Sequence, residues 1–199
     1  MRKAFLIFTA VLLLVALAPR PAAAAAVSFN FGVKAGFSLA NNAWSDDDGT
    51  EKALLRPTFG AFAVFNLTPM IAIQPEINYL VTGEWWTITE GKNIESFTYV
   101  HIPVLLKVRL MKEGKIIPVA FAGPALGFLL RARDQGEDVK VFFRDTDFGM
   151  DLGLGAEFKF GTTKAFLDAR YYLGLSNVWR GPSFSMKNRA FILTAGLLF

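Results

Sequence analysis

The sequence predicts an eight-stranded antiparallel up-and-down transmembrane β-barrel, and three observations carry that expectation. Apolar residues recur with a period of two from Val27 to the end of the chain, which is the strand period. The apolar face of the phased strands holds no charged residue, whereas the other face is rich in glycine and charge. Connections alternate between short and long, the pattern of a barrel with turns on one side of a membrane and loops on the other.

Residues 1–26 read as a signal peptide and residues 27–199 as the barrel domain. Arg2 and Lys3 precede an uncharged run, residues 4–18, and Ala22 to Ala26 supply small residues for cleavage before Val27. The run falls short of the ~20 residues of a spanning helix, which makes a membrane anchor the weaker reading. Loss of Arg2, Lys3 and Arg20 takes the 21 Lys and Arg residues to 18, against 17 Asp and Glu. The formal charge of +4 is therefore mostly export signal. A nearly neutral mature chain without like-charge blocks argues against nucleic acid as a partner. The absence of cysteine excludes a disulfide scaffold, a thiolate metal site and a thiol nucleophile, and a single histidine excludes a multi-His metal site. No cofactor is expected.

The first strand, residues 28–39, sets Phe29, Phe31, Val33, Ala35, Phe37 and Leu39 against Ser28, Asn30, Gly32, Lys34, Gly36 and Ser38. Residues 58–67 alternate less cleanly, carrying Phe62 and Val64 on the second face. Residues 71–84 and 98–110 alternate well, with Ile71, Ile73, Ile77 and Val81 in one and Val100, Ile102, Val104 and Leu106 in the other. Residues 117–130 are apolar on both faces, so the faces of this fifth strand stay unassigned, and Gly123-Pro124 suggests a bulge that changes phase. Residues 148–160 and 165–176 alternate throughout, and the last strand, residues 189–199, carries Ile192 and Leu198 out of phase. Short connections fall at residues 68–70, 111–116 and 161–164, and long ones at 41–55, 85–96, 131–147 and 178–188.

A soluble barrel is also up-and-down and alternating. The composition of the faces decides for the membrane, because an Arg or Lys facing lipid at the midplane costs about 2–4 kcal/mol, and the apolar face has none. Bulky Phe, Ile and Leu also overfill the narrow bore of eight strands, whereas glycine and paired charges fit it. The inward set holds Lys34, Glu76, His101, Lys107, Arg109, Asp151, Glu157, Lys159, Asp168 and Arg170. Near-balanced signs permit pairing across the lumen. Two readings follow, a plug of paired charges or a narrow porin-like pore for small solutes, and the small bore favours the plug. Tyr79, Trp85, Trp86 and Phe97 flank the second long loop, and Trp44 and Trp179 lie in the first and fourth, where amphipathic rings suit the headgroup layer; packing within the loops is the alternative.

Five segments carry a family resemblance: residues 74–83 (QPEINYLVTG), 99–107 (YVHIPVLLK), 122–130 (AGPALGFLL), 148–157 (FGMDLGLGAE) and 167–177 (LDARYYLGLSN). Their order and spacing resemble the outer-membrane β-barrel domain family that includes the PorT-like proteins, with OmpX and the OmpA membrane domain as distant relatives. The resemblance spans essentially residues 27–199 and implies a bacterial outer-membrane location without supplying a catalytic site. Phe199, ending an alternating last strand, resembles the signal by which the barrel-assembly machinery recognises its substrates. Periplasmic chaperones and outer-membrane lipid are the partners implied with it.

The expected role is structural or interactive, through four long extracellular loops that meet a protein or polysaccharide ligand, in a monomer and not an enzyme. A lipid-modifying enzyme is the weaker alternative and would centre on His101, beside which no Ser stands in sequence. Asp46, Asp47, Asp48 and Glu51 around Gly49 suggest calcium only loosely, since EF-hand spacing is missing and a solvated loop explains them.

Overall fold

A computed structural model describes residues 28–44, 52–88, 91–161, 163–182 and 184–199. Both the signal peptide expected at residues 1–26 and the acidic stretch at 46–51 lie outside these residues. The strands are β1 (Ser28–Trp44), β2 (Lys52–Asn66), β3 (Ile71–Ile88), β4 (Gly91–Arg109), β5 (Ile116–Asp134), β6 (Glu137–Asp138), β7 (Thr146–Phe160), β8 (Thr163–Gly174) and β9 (Met186–Leu198). All but β6 build the barrel wall, in antiparallel order β4-β3-β2-β1-β9-β8-β7-β5, and the β4–β5 ladder closes it. The short β6 pairs only with the end of β5, ahead of a 3-10 turn at Lys140–Phe142. The expected eight-stranded barrel is the fold, and closure leaves its wall without a free edge.

Strand parity sets what faces lipid. On β1, Phe31 and Phe37 are each 57% exposed while Lys34 and Ser38 between them are buried. The same alternation runs through Ile77 and Glu76 on β3, Leu106 and Lys107 on β4, and Leu167 and Asp168 on β8. Phe62, Val64, Ile192 and Leu198, the out-of-phase residues, point inward and fill the lumen. Glycines also face the lumen, and an added Cβ at Gly153 would meet the Phe121 ring at 2.6 Å.

The fifth strand needs a correction. Its ladder with β7 keeps one register from Ile116↔Phe158 to Phe128↔Thr146, so no change of phase occurs at Gly123-Pro124. Ile117, Val119, Phe121, Ala125 and Leu129 face inward. The irregularity against β4 lies higher, between Tyr99↔Leu129 and Thr98↔Arg131. Pro124 lacks only a backbone donor, which a strand tolerates where its ladder has a gap.

Two of the expected loops are largely strand. β3 and β4 pair as far as Ile88↔Gly91, replacing the loop expected over residues 85–96, and β1 runs to Trp44. About 9–11 residues cross a bilayer, whereas these two strands have 18 and 19. The surplus stands beyond the lipid, where both faces meet polar surroundings and alternation fades while pairing persists. At the other end the connections are tight. Thr68 Oγ1 accepts the Ile71 N–H at 2.9 Å, and Leu67 N–H donates to Ile71 O at 2.9 Å. Such turns face the periplasm in outer-membrane barrels and the longer extensions face outward.

Ile77, 55% exposed and midway along the lipid-crossing part of β3, gives a direct check on the outward face. Ile77→Arg is expected to lower stability in lipid vesicles by about 2–4 kcal/mol, read by urea unfolding.

Candidate functional site

Polar residues of every wall strand except β5 converge in the lumen and form three tiers. In the middle tier Arg170 of β8 grips Glu76 of β3 with both ends of its guanidinium, Nη1 to Oε2 at 2.9 Å and Nη2 to Oε1 at 3.1 Å. Bidentate pairing of this kind is the strong form of a charge-assisted hydrogen bond. Lys34 of β1 donates to the same carboxylate, as do Gln74 Nε2 at 2.8 Å and Asn78 Nδ2 at 2.9 Å. Arg170 also lies 3.5 Å from Asp151 and 3.8 Å from Asp168. Its guanidinium carbon sits 5.1 Å over the Phe121 ring. His101 Nε2 meets Asp151 Oδ2 at 3.0 Å, and its ring packs edge-on against Tyr172.

The lower tier, toward the short turns, centres on Glu157. Lys107 Nζ reaches it at 2.8 Å and Arg109 Nε at 3.0 Å, and Arg109 Nη1 donates to Asn66 Oδ1 at 2.8 Å. The upper tier centres on Asp147, which accepts from Tyr172 Oη at 2.8 Å, Ser176 Oγ at 2.6 Å and Asn188 Nδ2 at 2.8 Å. Asn188 also donates to Tyr99 Oη and accepts from Thr82 Oγ1. Above it Phe97, Tyr99, Leu129, Ala132, Phe143, Val178 and Met186 form an apolar cluster with Trp179 packed on its edge.

The structure thus brings together Lys34, Glu76, His101, Asp151, Asp168 and Arg170 in one tier and Lys107, Arg109 and Glu157 in another. Lys159 joins neither. It is exposed at the periplasmic rim, where it lines a cleft with Lys112 and Lys164. Tyr79 and Trp85 are on the outward parity, Tyr79 stacked on Phe59 at 4.9 Å. Phe97 is not an interface ring: it is fully buried in the lumen cluster, since it shares the inward parity of Tyr99 and His101. Trp86 shares the inward parity of Glu84, and Trp179 packs between loop residues Phe142 and Phe143. Phe199 exchanges backbone hydrogen bonds with Phe31, at 2.8 and 3.2 Å, and its ring lies 5.7 Å from the Phe31 ring.

The Asp147 tier is the part that reading the sequence missed. Asp147 precedes the stretch of β7 with clear alternation, but its parity matches Asp151 and was the available signal. Among the described residues no group of three metal-ligating side chains comes together.

A closed eight-stranded wall with an apolar outside and a paired, charged inside defines a small outer-membrane β-barrel. The chain belongs to the outer membrane protein β-barrel domain family, whose model matches residues 23–180. In fold it is similar to Neisserial surface protein A, with TM-score 0.56 and 15% identity over 87% of this chain and 97% of that one. OprG of Pseudomonas aeruginosa is also similar, with TM-score 0.57 and 12% identity over 87% of this chain and 97% of that one. No curated protein sequence matches.

Removing Arg170 takes the bidentate partner from Glu76 and leaves Asp151 with His101 alone. Arg170→Ala is expected to cost about 3–5 kcal/mol, the range for a buried pair that loses one partner, measured by urea unfolding in vesicles.

Proposed function

We propose that the protein is a closed, non-conducting, non-catalytic barrel that serves as a rigid base for extracellular binding elements. The observation that carries this reading is the middle tier, in which Glu76 takes hydrogen bonds from Lys34, Gln74, Asn78 and Arg170 across the full width of the lumen. The space left beside Lys34, Asn78, His101 and Arg170 is about 10 Å³, on the order of a single water. Passage of a larger solute beside these residues would require separating the buried Glu76–Arg170 pair, and this favours the plug over the narrow pore. His101 is 2% exposed and held by Asp151, a setting that suits a structural imidazole better than one awaiting lipid substrate.

The candidate binding elements are the outward parts of the wall: the β3–β4 extension, the segment from β6 to β7, and the segment between β8 and β9. The second and third of these are tied together. Phe143 and Trp179 form a backbone bridge, and Arg144 N–H donates to Val178 O at 2.8 Å. Two exposed apolar residues, Val141 at 71% and Phe142 at 52%, stand on this joined surface. A protein or polysaccharide outside the cell is the ligand class such a surface suits. The signal peptide at residues 1–26 and recognition of Phe199 by the assembly machinery belong to the same reading.

Planar-bilayer recording on the purified barrel tests it. The wild type is expected to show no steady conductance, and the double variant Glu76→Ala, Arg170→Ala to show small open events. Steady openings in the wild type would refute the plug and favour the pore.

A further inference from the structure

Beyond the lipid-facing belt a cleft of about 470 Å³ is lined by Lys92, Ile94, Ser96 and Arg133, all on the outward parity, by the Gln135-Gly136 turn, and by the half-buried Arg56, which stands opposite Ser38 in the β1–β2 ladder. Among the described residues no carboxylate lines it and these three cations form no ion pair. Lys92 Nζ lies 4.1 Å over the Trp85 ring, and Trp85 is fixed by its Nε1–H donating to Ala53 O at 3.1 Å. The wall sorts charge at this height. Glu84, Asn93 and Glu95 point into the lumen and are buried, while Lys92 and Arg133 point out. Asp138 stands opposite Arg133 in the β5–β6 ladder, but its Oδ1 accepts the Lys140 N–H at 3.0 Å.

The height is that of a headgroup layer. Ser96 is twelve residues above Val108 along β4, which on a tilted strand is roughly 30 Å and just past an apolar band of about 25 Å. Directly below the cleft, Leu130 and Phe128 are 53% and 45% exposed on the outward face. Opposite Ser96 in the ladder is Gly83, at φ 137°, where a Cβ would collide with the Glu95 carbonyl, so the wall beside the Ser96 hydroxyl is bare backbone.

We propose that this cleft binds a phosphate group of an acylated glycolipid in the outer leaflet. Arg56 and Arg133 offer planar donors for phosphate oxygens, Lys92 adds a compact charge, and the acyl chains lie on Leu130 and Phe128 below. Basic pockets at headgroup height are suited to anionic lipid. A free phosphate or a soluble phosphorylated sugar has the same anionic chemistry, but neither uses the apolar surface continuous with the cleft. The inference needs only the barrel's seat in the outer membrane and is independent of the plug and of any loop ligand.

The test uses the full mature barrel in neutral detergent, with three probes: bis-phosphorylated lipid A, the same lipid with its phosphates removed, and inorganic phosphate. The triple variant Arg56→Gln, Lys92→Gln, Arg133→Gln is compared with Lys112→Gln, Lys115→Gln at the periplasmic rim. Heat-modifiable gel migration checks folding, and the single Arg133→Gln variant is read alongside in case the triple variant fails to fold. Bis-phosphorylated lipid A is expected to bind the wild type and the rim variant equally, and the triple variant at least about tenfold more weakly. Arg133→Gln alone is expected to weaken it several-fold. Removing the phosphates is expected to weaken binding to the wild type as much as the triple variant does. Undiminished binding by folded triple or Arg133→Gln protein overturns the proposal. So does wild-type affinity for inorganic phosphate equal to that for the lipid.

Discussion

The constraint on which the rest of this structure depends is the exclusion of charge from the wall that meets lipid. Each Arg or Lys at the midplane of that face costs about 2–4 kcal/mol, so charges within the membrane-crossing part of the strands must point inward. Strand parity then allows no intermediate arrangement, because neighbouring residues face opposite sides. Lys34, Glu76, Lys107, Asp151, Glu157, Asp168 and Arg170 are inward for this reason and are buried. Burial in turn demands partners. The desolvation of a carboxylate is offset only where several donors converge on it, as four do on Glu76.

Pairing on this scale ties together strands far apart in sequence. Glu76 and Arg170 are separated by 94 residues and Arg109 and Glu157 by 48. The tiers cross-brace the barrel from within, while the backbone ladders close it around the circumference. Phe143 and Trp179 pack over the upper tier, so the outward segments rest on the lumen cluster. The same sorting of charge that loads the lumen with carboxylates near Glu84 and Glu95 leaves Lys92 and Arg133 on the outward face.

Much of this was legible in the sequence because a barrel repeats one rule along every strand. Phe29 to Leu39, alternating without exception, is enough to assign both faces of β1. The rule failed where its physical cause is missing. Residues 85–88 and 91–96 pair as strand beyond the lipid, where neither face must be apolar, and so read as loop. Residues 117–130 defeated it for the opposite reason. Phe121 and Leu129 fill lumen space between polar tiers while Leu126 and Phe128 meet lipid, and both faces are apolar. Phe97 and Trp86 were drawn to the interface by residue type when parity pointed inward. The identity of partners within each tier was out of reach, since register between strands is fixed by closure of the whole barrel.

A double-mutant cycle on Glu76 and Arg170, by urea unfolding in lipid vesicles, tests most directly whether buried pairing holds the lumen together. With Glu76→Gln, Arg170→Gln and the double variant, the account predicts a coupling of about 1.5 kcal/mol or more, the range found for close charge pairs. Effects that add to within about 0.5 kcal/mol, as for independent sites, would contradict it.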